Sequence, residues 1–412
     1  MSKQPVLLVI GSVWPEPNSS AAGARMLDLL SKFLKEKWKI VFACTAQESP
    51  FMADLGSFGM ESMTIHLNDS SFDAYAAELN PNVVLFDRFL CEEQFGWRIA
   101  KECPNALRVL ETVDLHFLRY ARELAWKEGN VCDIRHLQSD RAKREIASIL
   151  RCDCSIIISE YEMNLLQGTF RVDPKLLLYY PLIMDGVDSS NKNKLPSYED
   201  RRDFIFIGNF WHEPNWQALR ELKLKIWPRI HAQLPMAELH VYGAYPSKKV
   251  TDLNQVKDKF FVHGRADDAK ELVKNARVCL APMPFGAGLK GKLLEAMACG
   301  TPSITNHIGS EGMNGEFEWP GYVTASLEEF ADKAVLLYTQ ESEYISFQQK
   351  GFTILDKRFN KNEFESVLFD QVLTLMENIE KHRQDNFIGE ILHHHTLAST
   401  MYMSKWIEAK NT

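Results

Sequence analysis

Apolar runs rich in Val, Ile and Leu recur through the first half of the chain at 6–11, 40–45, 83–87, 107–110 and 155–159. Each run is nearly continuous rather than alternating, as a parallel strand covered on both faces requires. Between them lie amphipathic helical patterns such as 21–36 and 95–101, and strand–helix alternation of this kind predicts an α/β domain. The polar stretch DGVDSSNKNKLPSYEDRRD, 185–203, interrupts the series and reads as an interdomain linker. A second series follows at 204–208, 238–243, 261–264, 277–283 and 303–305, and 362–412 is helical in pattern. The expected organisation is a Rossmann-like domain over 1–184, the linker 185–203, a second Rossmann-like domain over 204–375 and a helical tail over 376–412. Ligands of such sheets bind at the carboxyl ends of the strands, so the site is expected in a central cleft between the domains.

The stretch PMPFGAGLKGKLLEAMACGTPSITNHIGSEG, 282–312, carries the most chemistry. An apolar run leads into Gly286 and Gly288, and the pattern Leu293, Leu294, Met297, Ala298 then reads as a helix stopped by Gly300 and Pro302. A glycine loop that opens a helix leaves backbone N–H groups unpaired, and the helix dipole there favours an anion. Lys290 and Lys292 add fixed positive charge. Glu295 lies two turns past Gly288 and returns to the same helix face. These features suit a diphosphate with a hydroxyl-rich sugar beside it, the donor site of a nucleotide-sugar enzyme.

The same stretch resembles the signature of the family 4 retaining glycosyltransferases (glycosyl transferases group 1), which have the GT-B fold. LLEAMACGTP matches the usual EGFGLxxLEAMAxGxP run, and Glu295 falls on its second glutamate, which the resemblance implies holds the nucleotide ribose. At the first glutamate stands Ala287, so the chain is similar to a GxGxKxKxLEAMA subgroup. The resemblance further implies that the last helix crosses back onto the first domain, with Tyr402, Trp406 and Ile407 as its expected buried face. GSVWPEPNSSAAGARM resembles the family's N-terminal glycine loop, with Gly23 as the counterpart that faces the donor phosphates and Ser19 or Ser20 as a helix cap. Arg25 is placed to reach the acceptor or a phosphate. LETVDLHFLR looks like the family's region in which a histidine contacts the donor sugar. That makes His116, with Asp114 beside it, the candidate for binding a sugar hydroxyl or steadying developing charge.

FIFIGNFWHEPNWQAL resembles the GNFxxxPN version of the first loop of the second domain. Gly208 and Asn209 lie at a strand end, Pro214 suits a first helical turn, and His212 touches the donor or faces solvent. No cation stands in this loop before Arg220, so the diphosphate charge falls to Lys290. FVHGRADD resembles the turn that reads the base, with Arg265 stacking on it or meeting a phosphate. Glu311, between small residues, is a candidate for lining the sugar pocket. The catalytic expectation is therefore His116 and Lys290. The donor-binding expectation adds Gly23, Gly208, Asn209, Arg265, Gly286, Gly288, Lys292, Glu295 and Glu311.

Composition narrows the reading. With 45% hydrophobic and 25% charged residues in 412, the chain has the profile of a soluble globular protein of two domains. A net charge of −8 argues against nucleic acid as a main partner. No apolar run is long enough for a transmembrane helix, and MSKQPVLLVIG shows no cleavage site, so no signal peptide is expected. The cysteines are scattered, and Cys152 with Cys154 lacks the second pair a zinc site needs. A cytoplasmic protein with reduced thiols is expected. Arg201, Arg202, the basic scatter over 135–151 and the pair Glu92–Glu93 read as solvated.

The implied activity is transfer of a sugar from a nucleotide sugar to a carbohydrate, lipid-linked or other hydroxyl acceptor, as in surface polysaccharide synthesis. Peripheral membrane contact is compatible with it, and neither metal nor cofactor is expected. The alternatives are a non-catalytic GT-B scaffold that binds a nucleotide sugar, or an epimerase or phosphorylase on the same fold.

Overall fold

A computed structural model describes residues 4–186, 192 and 194–411. The first sheet is built from β1 (Val6–Gly11), β2 (Lys39–Cys44), β3 (Glu61–Thr64), β4 (Val83–Asp87), β5 (Leu107–Glu111), β6 (Cys154–Ile157) and β7 (Leu177–Tyr179). It is parallel throughout in the order β3-β2-β1-β4-β5-β6-β7. The second comprises β8 (Arg202–Ile207), β9 (Leu239–Tyr242), β10 (Phe260–Gly264), β11 (Ala276–Ala281), β12 (Ser303–Asn306) and β13 (Gly321–Thr324). Its order is β10-β9-β8-β11-β12-β13, again parallel. Strand order reverses between β1 and β4 and between β8 and β11. Crevices therefore open at the carboxyl ends of both pairs, where such sheets take ligands.

The apolar runs form the strand cores because both sheet faces are covered. Leu8, Ile10, Val84 and Phe86 point to one face of the first sheet, and Leu7, Val9, Val83 and Leu85 to the other. The short strands β3, β7 and β13 escaped the sequence reading. β3 is mostly exposed, and β7 and β13 are only three and four residues long, too short to show periodicity.

Several expectations need correction. Residues 187–191 and 193 of the expected linker lie outside the described residues, and its end is already structure. Arg201 is fully buried, donating to Thr301 Oγ1 at 2.7 Å and to the Cys299 carbonyl at 2.9 Å; only Arg202 is exposed. The chain returns to the first domain before 376. Met184 donates to the Phe359 carbonyl at 2.7 Å and Lys361 to the Met184 carbonyl at 2.9 Å. The helix Val367–Glu377 then lays Leu368, Val372 and Leu375 on the first sheet. Tyr402 and Trp406 are 67% and 60% exposed, and the terminal helix buries His393 and Ser404 instead. Glu92 is buried against Arg151, itself one of the basic residues read as solvated. Among the described residues, no helix is long and apolar enough to cross a membrane.

Candidate functional site

The glycine loop between β11 and the helix Gly291–Ala298 is pressed into the first domain. Gly288 has φ 60°, and a Cβ on it would lie 2.8 Å from Asp114 Cβ and 2.9 Å from the Ile158 side chain. Only glycine suits both that backbone and that approach. Its N–H donates to Glu162 Oε1 at 2.9 Å. The Gly286 carbonyl accepts from Arg122 at 2.7 Å, and the same guanidinium grips both oxygens of Glu311 at 2.8 and 2.6 Å. Ala287, between the glycines, is packed within the hydrophobic core of the first domain. A carboxylate there would need desolvation at a contact with apolar neighbours.

Lys290 stands at the N-cap of the helix with only 7% exposure, and Nζ donates to the carbonyls of Gly288 at 2.7 Å and Ala287 at 3.2 Å. Burial pushes its ammonium down to about 8, against the pull of Glu311. Lys292 donates to Asn215 Oδ1 at 2.7 Å, lies 4.6 Å from the centre of the Phe206 ring, and is likewise pushed by burial to about 8. Two desolvated cations therefore flank the positive end of a helix. Neither makes an ion pair among the described residues. The carboxylate of Glu295, half-buried two turns past Gly288, makes neither hydrogen bond nor ion pair among the described residues. Burial raises its carboxyl against the nearby charge of Lys270.

The Gly208 loop faces this helix. A Cβ on Gly208 would meet the Asn215 side chain at 2.7 Å. Asn215 Nδ2 donates to the Asn209 carbonyl at 2.9 Å, and Asn209 Nδ2 reaches across to the Ser19 carbonyl at 3.3 Å. His212 caps the helix Glu213–Glu221, with Pro214 in its first turn. Burial, with Arg119 adding to it, pushes His212 down to about 4. Its side chain nevertheless stays exposed to solvent at the cleft edge.

Across the cleft, Ser20 accepts from the Gly23 N–H at 3.1 Å and caps the helix Ala21–Lys35. Gly23 lies inside that helix, and a Cβ on it would sit 2.4 Å from the Glu16 carbonyl oxygen. Its smallness serves backbone packing. Ala21 at the start of the helix also meets the second domain: a side chain on Gly291 would approach its Cβ to 2.8 Å. Arg25 is engaged within the first domain. It is buried on Glu111 at 3.1 Å and on the carbonyls of Tyr180 and Pro181, each at 2.7 Å.

His116 opens the helix His116–Glu128, whose start is capped by two buried carboxylates. Glu145 accepts from the N–H of His116 at 3.0 Å and of Phe117 at 2.7 Å, and Glu162 from Leu115 at 2.8 Å. Burial pushes both glutamates up to about 8. The His116 ring lies 3.5 Å from Asp114. Burial dominates over that neighbour and drives the ring down to about 3, leaving a neutral imidazole. Asp114 is held below the usual carboxylate range despite its burial, chiefly by the Arg119 guanidinium beside it.

Arg265 is placed elsewhere, 4.6 Å from the centre of the Phe51 ring of the first domain and 3.7 Å from Asp267. The structure thus gathers Lys290, Lys292, Glu311, His116, His212 and the loop glycines, while Arg265 marks the edge by Phe51. Arg122, Glu162, Glu145, Arg119 and Asn215 were missed by the sequence reading. Arg119 and Arg122 lie among other charges on a helix, where sequence alone gives no sign of a partner far along the chain. One group able to hold a metal, Asp203, Glu238 and His240, lies at the amino ends of β8 and β9, far from the loop, with Lys259 already on Glu238 at 2.8 Å.

Residues 201–340 match the family model for Glycosyl transferases group 1. No curated protein sequence matches the chain. Among solved structures, a sucrose-phosphate synthase of Thermosynechococcus elongatus aligns over 91% of this chain and 100% of its own at TM-score 0.66 and 17% identity. Alr3699/HepE of Anabaena in complex with UDP aligns over 93% and 100% at TM-score 0.62 and 11% identity. A glycosyltransferase of Rickettsia africae ESF-5 aligns over 93% and 99% at TM-score 0.61 and 12% identity. The chain has the two-domain α/β architecture of GT-B glycosyltransferases, and its second domain carries the Glycosyl transferases group 1 match.

Proposed function

We propose that the protein is a retaining glycosyltransferase that moves a sugar from a nucleoside diphosphate donor, such as a UDP-sugar, to a hydroxyl acceptor of a surface polysaccharide or glycoconjugate. The observation that carries this reading is the pair Lys290 and Lys292. Two largely desolvated cations sit at a helix start, neither of them in an ion pair among the described residues, which is costly unless an anionic ligand completes the site. A diphosphate does so, and as the leaving group it gains charge when the glycosidic bond breaks, where fixed cations act most strongly. Glu295, two turns in with unpaired oxygens, suits the paired hydroxyls of a ribose. The neutral ring of His116 is a hydrogen-bond partner for a sugar hydroxyl, and a phosphate oxygen of the donor takes the acceptor proton. The eight cysteines are free thiols, which accords with a cytoplasmic location.

With lysines and a helix dipole supplying the positive charge, turnover is expected to survive EDTA. Loss of activity on chelation with recovery on Mg²⁺ or Mn²⁺ would overturn the metal-independent reading. Assay of nucleotide release across a panel of nucleotide sugars and acceptors separates an enzyme from a binding scaffold, which would bind donor without release.

Glu295→Gln keeps shape but weakens charge-assisted hydrogen bonds, and is expected to cost about 1–3 kcal/mol of donor binding. By calorimetry the loss should be equal for the free nucleoside diphosphate and the sugar donor, because the contact is to ribose. A loss confined to the sugar donor would reassign Glu295 to the transferred sugar.

A further inference from the structure

One corner of the second sheet gathers side chains that the cleft does not use. Asp203 stands near the start of β8, Glu238 just before β9 and His240 within β9, and one oxygen or nitrogen from each lies within 4.8 Å of the others. They occupy the amino ends of these strands, opposite the carboxyl ends that form the cleft. His240 and Tyr242 alternate with the buried Leu239 and Val241, so both point to the less covered face of the sheet. On the neighbouring β10, Phe261 is in register with His240. The two rings stack with centres 5.6 Å apart.

Each of the three residues is fixed through one atom and presents another. Asp203 Oδ1 accepts from the Glu238 N–H at 2.9 Å, and Glu238 Oε1 accepts from Lys259 at 2.8 Å. His240 Nδ1 lies 3.0 Å from His263 Nε2, a hydrogen bond between rings, and the His263 ring stacks on Tyr242 with centres 4.6 Å apart. With Nδ1 as the donor of that bond, Nε2 of His240 carries a lone pair. A metal-binding histidine is oriented in this way, by a hydrogen bond at its other ring nitrogen. The atoms left over are Asp203 Oδ2 and Glu238 Oε2, which stand 3.8 and 3.5 Å from His240 Nε2. Those distances are too long for good hydrogen bonds. Two ligands of one tetrahedral zinc ion, with bonds of about 2.0–2.2 Å, stand about 3.3–3.6 Å apart. The spacing therefore suits atoms that share a cation. The three side chains are 26–29% exposed, so an ion can enter.

We propose that Asp203, Glu238 and His240 form a binding site for a first-row divalent cation, zinc foremost, and that His263 orients His240. One imidazole nitrogen with two carboxylate oxygens suits zinc, whereas magnesium and calcium take oxygen ligands. The ion ties the starts of β8 and β9 together and takes no part in sugar transfer, so the proposal stands independently of the transferase reading.

The test is calorimetry on the whole protein, first stripped of metal by chelation and dialysis, with zinc chloride as titrant. One equivalent is expected to bind with a Kd in the micromolar range or below, and the melting temperature should rise with free zinc. Magnesium chloride should bind about 100-fold more weakly or not at all. His263→Ala should weaken zinc by about tenfold, and His240→Ala and Asp203→Asn should each weaken it by more. Circular dichroism without zinc checks the fold of each variant, and if one fails to fold the others decide. Cobalt(II) bound in place of zinc should show no thiolate charge-transfer band. Absence of a zinc equivalent in the parent protein, undiminished binding in the folded variants, or a thiolate band that puts the ion on cysteines would each overturn the proposal.

Discussion

Lys290→Ala is expected to lower turnover by about 100-fold or more, since it removes a preorganised cation from the point where the leaving diphosphate gains charge. The Gly208 loop contributes no cation, so Lys292, held on Asn215, is left alone to meet the diphosphate charge. The measurement is steady-state kcat, with circular dichroism to confirm the fold. Nearly normal turnover would shift the role to Lys292. A pH profile tests the same assignment independently. Burial lowers Lys290 to about 8 in the free protein, so its charge is present below that pH and lost above it. Accordingly kcat/KM should fall as pH rises through about 8, and the Lys290→Ala variant should keep only the part of that dependence that Lys292, likewise lowered to about 8, contributes.

Arg122→Ala is expected to have the second largest effect. It leaves the Glu311 carboxylate without its bidentate partner and the Gly286 carbonyl without its donor. Removing one partner of a buried ion pair typically costs about 3–5 kcal/mol. Here the loss falls on the contact between domains rather than on either core. The two sheets should keep their own stability, while the glycine loop parts from the first domain and donor turnover drops. Small-angle scattering should show a more extended molecule, and Arg122→Ala combined with Glu311→Gln should cost less than the two single changes added together. Additive effects would mean that the pair is not coupled, and that other contacts hold the loop.

The closed loop also explains the tolerance of Ala287. The loop residue between the two glycines sits inside first-domain packing, and a carboxylate of that domain, Glu162, accepts the Gly288 N–H. A buried glutamate reaching an amide through space leaves no local pattern, because its partner lies 126 residues away in sequence.

What the sequence determined by itself is the alternation of buried parallel strands with amphipathic helices, and the glycine loop with its lysines and Glu295. These are properties of short segments, in which periodicity, chain-flexing glycines and helix ends are written locally. The tertiary structure alone decided how charge is partnered. Arg201, Glu92 and Arg151 read as solvated, yet each is buried on a partner far along the chain. Arg122, Glu145 and Glu162 are ordinary helix-surface residues in one dimension. They become part of the site because the fold brings the start of one helix, the flank of a second and a loop from the other domain to a single point. Arg88, which follows β4 with φ 72°, is of the same kind: a backbone angle on a residue whose letter gives no sign of it.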